Sequence, residues 1–228
     1  MKRIYVLVEG QTEKEFVSRL LSPYFGQQGL SITPIPMLKS GGGIGFSNLE
    51  HFKNNVKPLL YEADRPLITT LVDLYRFPVH SSSPKEVESL QIISADPDPQ
   101  ARLNGFGDIL TAAVQQIRPY EYFIPYIQKY EFEALLFADS EAFGIENAEI
   151  QKDVEGVLTQ ISEPEEINST ETGHPAHRLE DIFSKHKRKY EKGADAVDIA
   201  ELIGIETILE KCPRFRQWIE VLITQAQK

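Results

Sequence analysis

Cysteine is nearly absent from this 228-residue chain, where Cys212 stands alone. A single thiol excludes an intrachain disulfide and any cysteine-based zinc cluster. Its place before Pro213, near a helix start, fits a buried structural thiol better than a reactive one. Long apolar runs are also missing. No uninterrupted segment approaches the roughly 20 residues of a membrane-spanning helix, and the basic Met1-Lys2-Arg3 start leads into a strand rather than a signal-peptide core. The expectation is a cytoplasmic protein with no membrane partner. Positive charge is scarce: 24 Lys and Arg against 34 Asp and Glu leave a net charge of −10. Affinity for duplexes rests largely on Lys and Arg neutralising phosphates, so a general nucleic-acid-binding surface is disfavoured. An enzyme acting on phosphates is not, because gathered acids can hold divalent metals that supply the missing charge. The sign reverses in one place, Lys185-His186-Lys187-Arg188-Lys189, which reads as a solvated helix end ahead of a phosphate-tracking patch.

What is present is a globular composition, 41% hydrophobic and 25% charged, in a chain long enough to bury an ample core. Ile4 to Val8 is a short apolar run without alternation, as in a parallel strand covered on both faces. It stops at Glu9. Gly10 offers a tight turn through positive φ, Thr12-Glu13-Lys14-Glu15 has a capping-box pattern, and Phe16, Val17, Leu20, Leu21 and Tyr24 then recur at helical spacing. Ligands of open α/β sheets bind beyond the carboxyl ends of the strands, which is where Glu9 falls. Leu67 to Asp73 repeats the same logic, with an apolar, β-branched run ending on an acid.

The other elements follow from turn and breaker residues. Ser31 to Leu38, interrupted by Pro34 and Pro36, reads as an edge strand. Ser40 to Gly45 lacks the lysine and Ser/Thr of a P-loop, so it reads as a mobile connector, although its glycines would let a backbone approach a phosphate. Asn48 to Ala63 is helical up to the neighbourhood of Pro58. Pro78 to Ser94 has little periodicity and reads as a loop. Asp98 is an N-cap with Pro99 at the first helical position, opening a helix to about Ile117. Tyr122 to Gln128 is another strand, with Pro125 marking an edge or a bulge. Helices follow: one from about His177 to His186, and a run from Val197 to Gln225 broken at Gly204 and Pro213. His174 and His177 lack companions at zinc spacing and read as a helix-start region. Trp218, Phe215, Ile219 and Leu222 share a core-facing stripe.

Glu9-Gly10-Gln11-Thr12-Glu13, Leu71-Val72-Asp73, Tyr130 to Phe137, Gly204 to Ile208 and Cys212 to Trp218 together resemble a bacterial family of unknown function, number 4276, with a Toprim-like fold. Its relatives are topoisomerase–primase and overcoming-lysogenization-defect nuclease domains. The resemblance implies an α/β, Toprim-like architecture: a mostly parallel sheet flanked by helices over residues 1–140, with a mainly helical C-terminal part, residues 141–228, packed on it as one unit. It also implies a Mg²⁺- or Mn²⁺-dependent phosphodiester hydrolase, a nucleic-acid substrate and an ATPase partner protein. By that likeness Glu9 and Asp73 are metal ligands and catalytic residues. The second aspartate of the Toprim Asp-x-Asp pattern is absent, because position 75 is Tyr.

Glu131 or Glu133 is the candidate replacement ligand. Residues two apart share a face only if the chain there is extended, so one ligand and one edge acid are expected. Their other reading is as first-turn acids of a core helix. Glu13 is either a ligand or base that orients water, or simply a favourable first-turn acid. Arg76 is either a phosphate contact or half of a surface ion pair. Two rival functions stay open: a non-catalytic interaction or regulatory subunit of an ATPase complex, and a small-molecule phosphatase or nucleotide-binding enzyme.

Overall fold

The computed structural model describes residues 3–39, 41–145, 147–167 and 173–228. Ser40 of the glycine run lies outside the described residues. The chain forms an α/β fold around a five-stranded sheet, all of whose named pairings are parallel. β1 (Ile4–Val8) is apolar throughout because both of its faces are covered. Ile4, Val6 and Val8 enter one apolar cluster and Leu7 enters the other.

After β1 the chain turns at once into α1 (Gln11–Phe16). A π-helical stretch, Val17–Leu21, leads on to α2 (Ser22–Gln27). Pro23 has no N–H for the carbonyl four residues back, which accounts for the ladder widening just before it. The helix start differs from the capping-box expectation: Gly10 is the N-cap and no side chain caps it. Gly10 is also not in a positive-φ turn, since its φ is −141°. A Cβ there would stand 2.9 Å from Glu13 Oε2, so glycine is required for space and not for handedness.

β2 (Ile32–Pro36) lies at one edge of the sheet, as its prolines predict. Met37 N donates to Val8 O, so odd-numbered residues face β1 while Pro34 and Pro36 turn their donor-less nitrogens to the open side. The glycine run is not an open connector. It closes a hydrogen-bonded turn in which Gly42 N donates to Lys39 O and Gly45 N to Met37 O. α3 (Leu49–Leu60) starts at Asn48, whose side chain accepts from His51 N, and it ends within a turn of Pro58.

β3 (Leu67–Asp73) is buried at every position up to Val72. The expected loop to Ser94 is in part a helix, α4 (Pro84–Ser94), opened by Pro84 in its first turn. A single apolar anchor, Leu90, is buried on it, which is why periodicity left it invisible. α5 (Pro99–Ile117) is capped by Asp98, whose carboxylate accepts from Gln100 N and Ala101 N. Pro125 splits the next strand into β4 (Phe123–Ile124) and β5 (Ile127–Gln128), both paired with β3. Thr70 Oγ1 bridges the break, accepting from Tyr126 N at 2.9 Å and donating to Tyr126 O at 2.7 Å.

The remainder is helical. A 3-10 segment, Phe132–Ala138, precedes α6 (Glu141–Gly144), α7 (Ala148–Gln160) and α8 (Pro175–Lys185). α9 (Ala194–Ile203), α10 (Ile205–Lys211) and α11 (Pro213–Ala226) follow, separated at Gly204 and Pro213. These helices share one apolar cluster with α1, α2 and a face of the sheet, and Trp218 Nε1 donates to Thr69 Oγ1 of β3 at 2.9 Å. α3 and α5 cover the other face. Among the described residues no helix is long and apolar enough to cross a membrane.

Strand order β2-β1-β3-β4 has a functional consequence. The chain leaves β1 toward β2 on one side and returns through α3 to β3 on the other. The crossovers diverge between β1 and β3, and a crevice opens at the carboxyl ends of that strand pair.

Candidate functional site

Glu9 and Asp73 meet in that crevice. The parallel register sets Val8 beside Leu71, so the two residues that follow the paired strands emerge side by side. Asp73 N approaches Glu9 Oε2 at 3.5 Å. Asp73 Oδ1 is buried without a hydrogen-bond partner, an unsatisfied state that native proteins rarely leave unused. Glu13, one helical turn into the next element, is also buried. Its carboxylate folds back over the space left by Gly10, where the backbone amides of Glu13 and Gly10 partly offset the burial.

Glu133 completes the cluster. It is 0% exposed, yet neither carboxylate oxygen has a hydrogen-bond partner. Lys192 Nζ lies 3.2 Å from its Oε1, within ion-pair reach but off hydrogen-bonding geometry. Lys192 also stands 3.9 Å from Glu131 Oε1, and it comes from the turn ahead of α9, where Gly193 has φ +112°. The sequence reading missed this lysine, because only folding brings residue 192 over the end of the sheet.

The electrostatics follow from crowding. Burial, then repulsion from Glu13, pushes the Glu9 carboxyl up to about 7. Burial likewise pushes Glu133 up to about 7 against the pull of Lys192. Asp73 is raised well above the usual carboxylate range by burial, with Glu13, Glu9 and Glu133 adding to it. Burial alone would lower Lys192, but Glu133, Glu131 and Asp73 outweigh it and hold the ammonium charged. A cleft of about 700 Å³ opens beside these groups, bordered by Glu9, Glu13, Asp73, Lys192, Lys39 and Arg76. The glycine turn forms part of its wall through Gly45.

Glu131 is engaged elsewhere. Its backbone is extended (φ −140°) while Glu133 has entered the 3-10 turn, so the two acids separate. Glu131 Oε2 accepts from Ala176 N at 2.9 Å and lies 2.8 Å from His174 Nδ1, closing the first turn of α8. Both acids are buried, so of the two places expected for the second acid, solvent-facing or at a packing edge, the solvent-facing one is ruled out. His174 is the residue preceding that helix, and its ring stacks on Tyr75 at 4.8 Å.

The basic run near Lys185 is largely neutralised, with Lys185 and His186 both on Asp153 and Lys189 on Glu191. Cys212 is buried and free, and burial pushes its thiol up, away from reactivity.

All-carboxylate donors are the oxygen ligands that Mg²⁺ and Mn²⁺ take, and an orphaned, buried Asp73 Oδ1 fits such a role. As the side chains stand, no group of three or more His, Cys, Asp or Glu among the described residues is arranged to hold a metal ion. Lys192 supplies a positive charge beside these acids. A family model described as a domain of unknown function, DUF4276, matches residues 8–223. No curated protein and no solved structure matches the chain.

Proposed function

We propose, on the premise that this chain belongs to the DUF4276 family, that it is a divalent-metal-dependent phosphodiester hydrolase working at the β1–β3 crevice. The observation that carries this reading is the gathering of Glu9, Glu13 and Asp73 at a switch point, with Asp73 Oδ1 left without a partner. The Toprim-like resemblance of the Glu9 and Asp73 segments supports it, and so does the acid cleft bordered by Lys39 and Arg76.

Glu9 and Asp73 would hold Mg²⁺ or Mn²⁺, and Glu13 would complete the oxygen set. A bound ion of this kind polarises a phosphoryl oxygen and lowers the pKa of an attacking water. The chain's own residues do the rest. Alternatively Glu13, raised above the usual carboxylate range by burial, would take a proton from water instead of binding the ion. Lys192 neutralises Glu133, which keeps that buried acid from repelling a phosphate. Lys39 and Arg76 border the same cleft and offer charge to phosphate oxygens. Nucleic acid is the proposed substrate, and an ATPase is the proposed partner that would supply the grip an acidic surface lacks.

Purified protein with supercoiled plasmid and Mn²⁺ should give nicked circles, and Glu9→Gln and Asp73→Asn should each lower the rate at least about a hundredfold. Calorimetry gives an independent readout: saturable Mn²⁺ binding that Asp73→Asn weakens. Nicking that survives both substitutions would overturn the assignment.

A second reading has its own observation. Tyr75 occupies the position of the missing aspartate and is engaged by Arg76, at 5.2 Å from its ring centre, and by the stacked ring of His174, while Lys192 already supplies the acids with a cation. Both fit a non-catalytic subunit that regulates an ATPase. Absence of any Mn²⁺ binding heat would favour this alternative.

A further inference from the structure

A second cavity, of about 240 Å³, lies beyond the end of β3 and is bordered by Tyr75, Arg76, Ser94, Arg102 and Tyr130. It is too small for a drug-sized or whole-nucleotide ligand, which takes roughly 300–1,000 Å³. Its charge is what marks it. Among the described residues Arg76 and Arg102 form no ion pair with any carboxylate, in a chain with ten more acidic than basic side chains. Arg102 Nε is buried with no hydrogen-bond partner. A guanidinium N–H hidden from water and from every acceptor costs stability.

The backbone around the cavity is strained on both sides. Arg76 has φ +61° and Tyr130 has φ +67°, conformations that suit glycine and that other residues hold where a site demands them. The two segments are tied together by Tyr75 N donating to Tyr130 O at 2.8 Å. Arg76 borders both this cavity and the acid cleft. A group accepting from Arg102 in the small cavity would therefore adjoin a group lying over Glu9 and Asp73.

We infer that Arg76 and Arg102 form a pocket for a phosphate group, and that it holds the phosphate next to the one presented to the acid cleft. The planar guanidinium fork matches phosphate oxygens two at a time, and a neutral base offers these two cations no charge to pair with. The placement beside the cleft rests on the phosphodiesterase reading. The pocket itself does not.

The test is a binding experiment in EDTA, where cleavage plays no part, with inorganic phosphate and an eight-nucleotide oligothymidylate as probes. Calorimetry should show saturable phosphate binding that the oligonucleotide competes away. Arg102→Gln should lower the affinity for both at least about tenfold, as expected for losing charge-assisted hydrogen bonds, while Arg102→Lys should retain part of it. Arg76→Gly separates binding from folding: it should weaken phosphate binding and raise the thermal midpoint, because glycine relieves the positive φ. Failure of phosphate to bind, or equal affinity in wild type and Arg102→Gln, overturns the pocket. Phosphate binding with which the oligonucleotide does not compete overturns its place beside the acid cleft. Neither result depends on whether the plasmid is nicked.

Discussion

Glu133 and Glu9 pose related problems at the scale of the single residue, since one is a fully buried carboxylate and the other a partly buried one, each without a full set of donors. Each is pushed up to about 7 by burial from an ordinary value of 4.5. The folded chain therefore binds protons that the unfolded chain has released between those two values, and stability contributed by these groups falls as pH rises through that window. Glu13, Asp73, Lys192 and Lys39 face Glu9, while Lys192 and Glu131 face Glu133, and the cations lessen the slope without reversing it. The expected outcome is a thermal midpoint that drops between pH 5.5 and pH 8 in metal-free buffer. In the double variant Glu9→Gln, Glu133→Gln the drop should shrink and the midpoint at pH 8 should rise. An unchanged slope in the double variant would show that these acids do not carry the strain.

Among the elements, buried glutamates serve as remote helix caps, a role quite different from that of the crevice acids. Glu131 closes α8, and Glu165 does the same for α11, accepting from Arg214 N at 2.8 Å and Phe215 N at 3.2 Å. Negative charge at a helix start is stabilised by the free N–H groups and the helix dipole. Glu165→Ala should cost about 2 kcal/mol, within the range of a lost cap at a buried position, and Glu165→Gln should recover part of it in urea denaturation. A loss of under about 0.5 kcal/mol, the range of ordinary surface changes, would mean that the cap contributes little. The local cap at Asp98 was legible because donor and acceptor lie within a few residues. Glu165 was not, since its donors come from 49 and 50 residues along the chain. α4 was missed for the opposite reason: one buried anchor in eleven residues makes no periodic pattern.

Taken whole, the molecule joins its helical C-terminal part to the sheet through a single apolar cluster. Phe215 of α11 lies against Phe16 of α1 at 5.9 Å and against Tyr126 at 6.1 Å, so both halves of the chain meet at one ring. Phe215→Ala should cost about 3–5 kcal/mol. Unfolding followed by the fluorescence of Trp218, the only tryptophan, should still coincide with unfolding followed by far-UV circular dichroism. Fluorescence changing first would show that α11 unfolds apart from the sheet. What the sequence determined by itself was local: the apolar runs of β1 and β3, the proline-marked edge of β2, the break at Pro125, the cap at Asp98, and acids standing at strand ends. Each follows from backbone sterics or burial patterns that span only a few residues. Tertiary structure alone decided which acids share a crevice. Parallel register sets Glu9 beside Asp73, a 3-10 turn parts Glu133 from Glu131, and packing of the C-terminal helices delivers Lys192. These outcomes depend on contacts between residues far apart in the chain, whose relative positions local propensity does not encode.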